Sequence, residues 1–179
     1  MPKVFRYLEG TASLTIRFIG TTILVVVYAD ESQGVYPDGK GRYSTVVMVG
    51  ADEVIRTTHK MKCITLSWTE SKIVGALDAA TYFRWLIRIF QEYRLSIELP
   101  IEPRQDSLSA MHIILNGLNF RRAKHMIIKG EFIKELEQKG IAKMLYTETG
   151  EMNADAYTKP YTGRQLAKYT GRFFIKLEE

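Results

Sequence analysis

ILVVVYAD, residues 23–30, is the stretch on which the fold turns. Seven of its eight residues are apolar or aromatic, three of them consecutive valines, and the run stops on a carboxylate. An apolar run this short, with no polar alternation, predicts a strand covered on both faces in the middle of a sheet. Asp30 then falls where core meets solvent. It is too costly to bury alone and needs donors or a cation; a turn-capping role is the ordinary alternative.

Working outward, SLTIRFIG (13–20) places Leu14, Ile16 and Phe18 in alternation and predicts a strand or edge segment. PKVFRYLE (2–9) can form two helical turns with Val4, Phe5 and Leu8 on one face, ending at Gly10. Downstream, 31–42 has loop composition, and YSTVVMVG (43–50) and VIRTTHK (54–60) predict two more strands. Three strands on short connections suggest an antiparallel meander.

Helical spacing then takes over. Ile73, Leu77, Ala80, Phe83, Ile87 and Phe90 recur every three or four residues across 69–93, with Trp85 and Leu86 widening the stripe and Thr69 as candidate N-cap. A short strand ends at Gln105 and Asp106, and helices follow over 107–115 and 126–139. IAKMLYTE (141–148) predicts the fifth strand and 166–174 a last helix. The order βββ-α-β-α-α-β-α implies an α/β fold, a mixed sheet with helices on its faces.

A chain of 179 residues with 46% hydrophobic and 25% charged residues suits one globular domain with a substantial core. Net charge of +5 permits a polyanionic partner without requiring one. The single cysteine, Cys63, excludes an intramolecular disulfide, points to a reducing, intracellular setting, and is expected to serve in packing. No apolar run reaches the length of a membrane span, and the N-terminus lacks the apolar core of a signal peptide.

Three carboxylates stand in similar settings: Asp30 after the first core strand, Asp106 after the fourth, and Asp155 after the fifth. Acids at strand ends can meet at one sheet edge, where like charges destabilise one another. Divalent oxygen-seeking cations, Mg²⁺ first among them, relieve that repulsion, and two about 4 Å apart clamp an in-line phosphodiester displacement.

These residues lie in motifs that resemble the ribonuclease H domain of copia-type (Pseudoviridae) retrotransposon Pol polyproteins. FRYLEGT (5–11) is similar to that family's RYLKGT, VYAD (27–30) to YSDAD, and GRYST (41–45) to RRST. QDSLSA (105–110) resembles DNQSAI, RRAKHMIIKGEFIKE (121–135) resembles RTKHIDIRYHFIRE, and NADAYTKP (153–160) resembles N-x-ADIxTKP. The resemblance implies a ribonuclease H-like fold with a five-stranded mixed sheet. It also implies a D-E-D-D site holding two Mg²⁺, or Mn²⁺, and hydrolysing the RNA strand of RNA–DNA hybrids. In that scheme Asp30 bridges both metals, Asp106 holds one and Asp155 the other. A reverse transcriptase domain in a parent polyprotein is the implied neighbour, with residues 1–20 the tail of its connection segment and 21–179 the domain itself. The implied location is the cytoplasm, a virus-like particle or the nucleus.

One departure outweighs the matches. The family's glutamate lies in SSTEAEY at the head of the long helix, as the second acid. The same stretch here is SWTESKI (67–73), so Glu70 matches the first acid and Lys72 stands at the catalytic position. An ammonium about 5 Å from Mg²⁺ would cost on the order of 6 kcal/mol at an effective dielectric near 20. The expectation is therefore that Lys72 turns toward solvent or a phosphate and that one metal loses a ligand. Glu70, about 200° around the helix, can replace it only if the helix starts in another register. The alternative function is a catalytically dead scaffold that binds nucleic acid or protein. Arg121, Arg122, Lys124, His125 and Lys159 are the candidate phosphate contacts, with a solvated charged face, and for His125 a structural role, as the ordinary alternatives. The family's second histidine, in HFIRE, is also absent; Gly130 and Glu131 stand in that region.

Overall fold

The computed structural model describes residues 3–16, 18, 20, 23–116, 124–161 and 163–176. Helix α1 (Lys3–Gly10) leads into a two-residue strand β1 (Leu14–Thr15). The main sheet is built from β2 (Leu24–Ser32), β3 (Arg42–Val49) and β4 (Asp52–Lys60), then β5 (Glu98–Gln105) and β6 (Leu145–Tyr146), in the order β4-β3-β2-β5-β6. The first three strands are antiparallel neighbours, and β5 and β6 join in parallel. The apolar run is thus the central strand of a mixed five-stranded sheet, as its composition predicts.

Strand β2 is covered on both faces. Val25, Val27 and Ala29 pack in the larger core with α2 (Trp68–Glu92), while Val26 packs with Val46, Met48, Met152 and Ala154 on the other face. Helix α2 buries Ile73, Leu77, Ala80, Phe83 and Leu86, the expected stripe. Trp85 does not join it and is exposed. The helix starts two residues earlier than a Thr69 cap would allow, because Ser67 is the cap: its hydroxyl accepts from the Glu70 amide at 3.1 Å.

Helices α3 (Leu108–Asn116) and α4 (Lys124–Gln138) complete that layer, and α5 (Arg164–Phe173) follows two short 3₁₀ turns. Three further expectations need correction. The 13–20 segment does not alternate inward: Ile16 and Phe18 are exposed, and Leu14–Thr15 pair with β7 (Ile175–Lys176) in a separate small sheet. The fifth strand is shorter than IAKMLYTE suggests, although Ala142 makes an isolated parallel bridge to Ile101. Cys63 is exposed, on the segment between β4 and α2, so it has no packing role.

Candidate functional site

The polar extension of the central strand builds the site. Strand β2 continues past Asp30 to Ser32, so Asp30 lies inside the strand opposite Ser44, not at its end. Strand β5 runs parallel beside it with Tyr28 opposite Arg104 and stops at Gln105. Two residues on from that pairing, Asp30 and Asp106 emerge from adjacent strands at the same sheet edge, on the same side by the two-residue side-chain period. The first turns of α2 cross this edge and bring in Lys72.

Lys72 turns inward. Its Nζ lies 2.6 Å from Asp30 Oδ1, 2.7 Å from Asp106 Oδ1 and 3.3 Å from Glu31 Oε2, and its side chain is only 11% exposed. This overturns the expected swing toward solvent. That expectation set the ammonium against a bound metal; facing buried carboxylates it finds its most favourable partners instead, and turning it out would leave them uncompensated. Gln105 braces the arrangement, donating from Nε2 to the Lys72 carbonyl at 3.3 Å and accepting the Asp106 amide at 2.9 Å.

Glu31, which the sequence reading passed over, is wholly buried. Burial pushes its carboxyl well above the ordinary value of 4.5, a shift that the Lys72 charge opposes and the Asp30 charge reinforces. Lys72 divides its charge among three acids and sits farthest from this one, so burial wins. Burial likewise opposes the charge on Lys72, but Glu31, Asp30 and the bonds to Asp106 and Asp30 outweigh it and hold its pKa above the ordinary lysine range.

The sign of the Glu31 effect on stability follows. Above about pH 4.5 the unfolded chain releases a proton that the folded chain keeps. Stability attributable to Glu31 therefore falls as pH rises from 4.5 through its elevated folded value, by at most about 1.4 kcal/mol per pH unit. Urea midpoints measured upward from about pH 5 are expected to fall in the native chain and to fall less in Glu31→Gln.

The third predicted acid sits in different company. Asp155 lies on the 3₁₀ turn Asn153–Tyr157, which is tied to the sheet by Ser44 Oγ donating to the Ala154 carbonyl at 2.6 Å. Its carboxylate is bonded to Lys159, Tyr161 and Tyr169. Its link to Asp30 runs through Thr158, whose hydroxyl donates to Asp30 Oδ2 at 2.5 Å and lies 3.2 Å from the Asp155 carbonyl. Thr149 donates to Asp106 Oδ2 at 3.1 Å. Glu70 is spent on the helix cap, accepting the Leu66 amide at 2.6 Å, and does not enter the cluster.

These donors do not fit the implied pair of Mg²⁺ ions. Among the described residues no group of three or more His, Cys, Asp or Glu is arranged to hold a metal. The acids surround an ammonium at N–O separations of 2.6–3.3 Å, whereas Mg²⁺ requires oxygens at about 2.0–2.1 Å. Two of the three predicted ligands contact Lys72, and the third is bonded elsewhere. Of the candidate phosphate contacts, Lys159 is half-exposed and paired with Asp155. Arg121 and Arg122, and the side chains of Lys124 and His125, lie outside the described residues.

The sheet order and the helix crossing it can be set against known structures. LC11-RNase H1, solved in complex with an RNA/DNA hybrid, superposes with a TM-score of 0.53 at 12% identity, over 74% of this chain and 92% of that one. RNase H1 from the archaeon Halobacterium salinarum gives a TM-score of 0.50 at 13% identity, over 74% and 92% of the two chains. The fold is that of ribonuclease H. No protein-family model matches the chain. The chain is 24% identical over 98% of its length to the Retrovirus-related Pol polyprotein from transposon RE1 of Arabidopsis thaliana. It is 27% identical over 87% of its length to that from transposon TNT 1-94 of Nicotiana tabacum. It is thus similar to retrovirus-related Pol polyproteins of plant transposons and spans about 12% of the length of these two relatives. No helix among the described residues is long and apolar enough to cross a membrane.

Proposed function

We propose that this ribonuclease H-like domain from a retrotransposon Pol polyprotein is disarmed, keeping the fold and the three aspartates but not metal-dependent hydrolysis. The observation that carries this reading is the Lys72 ammonium, seated 2.6 Å from Asp30 and 2.7 Å from Asp106 where a ribonuclease H would need carboxylates free for a metal. A divalent ion would have to displace an ammonium tethered to the backbone and ion-paired with buried acids. Binding of RNA–DNA hybrid through phosphate contacts is the function left to the domain. The net charge of +5 and the candidate contacts Arg121, Arg122, Lys124, His125 and Lys159 support it. Its setting would be intracellular, next to a reverse transcriptase domain, with residues 1–20 as the connecting tail.

The test uses a labelled RNA–DNA hybrid with Mg²⁺ or Mn²⁺. The native chain is expected to bind it in a salt-dependent manner by fluorescence anisotropy. Cleavage is expected to fall at least about a thousandfold below that of an active ribonuclease H, the rate equivalent of losing about 4 kcal/mol of metal stabilisation. Turnover that Asp30→Asn abolishes would overturn the proposal.

A further inference from the structure

We propose that Asp30, Glu31 and Asp106 form a single cation position, occupied by the chain's own Lys72 ammonium, and that Glu31 is its third carboxyl partner. This rests on the reading that Lys72 keeps metal out, and adds to it a residue outside the aspartate set.

The stoichiometry fits. An ammonium has three N–H groups, and three carboxyl groups lie within ion-pair range of this one: Asp30 is hydrogen-bonded to it, while Asp106 Oδ1 and Glu31 Oε2 stand at ion-pair distance. Glu31 is not an incidental neighbour. Its side chain is fully buried, and neither of its oxygens has a hydrogen-bond partner. What makes room for it is Gly75, one turn beyond Lys72 on α2. A Cβ built there would overlap the Glu31 carboxylate. Glycine is otherwise a poor choice in a buried helix interior. Lys72, Gly75 and Glu31 thus form one device: the helix gives up a side chain so that a strand carboxylate can lie beneath it, and supplies the cation that this carboxylate faces. The position is shaped for a primary ammonium, and a free cation should enter only when that ammonium is removed.

Mn²⁺ binding, counted by electron paramagnetic resonance on the whole chain, tests this. The native protein is expected to bind no Mn²⁺ at this position. Lys72→Ala is expected to gain one, and Lys72→Ala/Glu31→Gln to bind it at least tenfold more weakly. Equal Mn²⁺ binding by the native chain and Lys72→Ala would show that the ammonium does not hold the position. Equal binding by the single and double variants would remove Glu31 from it. If the alanine variants do not fold, the native background still decides. The ¹⁵N signal of the Lys72 ammonium should be visible through slow exchange in the native chain and broadened by fast exchange in Glu31→Gln; an unchanged signal would overturn the assignment of Glu31 as third partner. Hybrid cleavage by the native chain would sink the proposed function without deciding the Glu31 comparison, so the two fail separately.

Discussion

Replacing Lys72 with methionine is expected to destabilise the domain by about 3–5 kcal/mol, the usual cost of removing one partner from a buried ion pair. Methionine keeps much of the side-chain stem and removes the charge. The carboxyl groups of Asp30, Glu31 and Asp106 would then face one another with no cation between them. Such a cluster must take up protons, draw in a cation or move apart, and each costs native-state free energy. The measurement is the urea midpoint at neutral pH, with an unchanged denaturant slope showing that stability and not compactness has shifted. A loss below about 1 kcal/mol would place Lys72 among exposed ion pairs, which contribute little.

Gly75→Ala is expected to destabilise by about 1–3 kcal/mol, the cost of overpacking a filled interior. The sign is the informative part. In an ordinary helix interior the same change stabilises by roughly 0.5–1 kcal/mol. Here the new methyl group would occupy the space of the Glu31 carboxylate, a side chain with no exposed surface into which to retreat. In a Glu31→Ala background that obstacle is gone, and Gly75→Ala should become neutral or stabilising. A double-mutant cycle therefore reads the contact directly, and additivity of the two changes would show that residues 31 and 75 do not touch.

Most of the scaffold was legible because its signals are local. The valine run marks the central strand, and spacing of three and four marks α2 from Ile73 to Phe90. The placement of Asp30 was not, because the strand continues through Glu31 and Ser32, two polar residues that an apolar pattern cannot claim. Asp106 emerges at the expected end of β5, a position set by where that strand stops. The orientation of Lys72 depends on carboxylates from β2 and from the end of β5, and no local pattern encodes such a meeting. Glu31 had a usable signal: an acid beside the core strand combined with a glycine inside the apolar face of α2. Each alone is commonplace, and only their contact in space joins them. Trp85 and Ile16 illustrate the opposite failure: apolar residues assigned to an inward face by pattern are exposed among the described residues.

The most direct test of a site filled from within is calorimetric titration of the native chain with Mg²⁺ and with Mn²⁺. No saturable binding is expected at this cluster at millimolar metal, and no difference between the native chain and Asp30→Asn. Two equivalents of metal bound by the native chain and lost in Asp30→Asn would contradict it, and would mean that the Lys72 ammonium leaves its carboxylates when a divalent ion arrives.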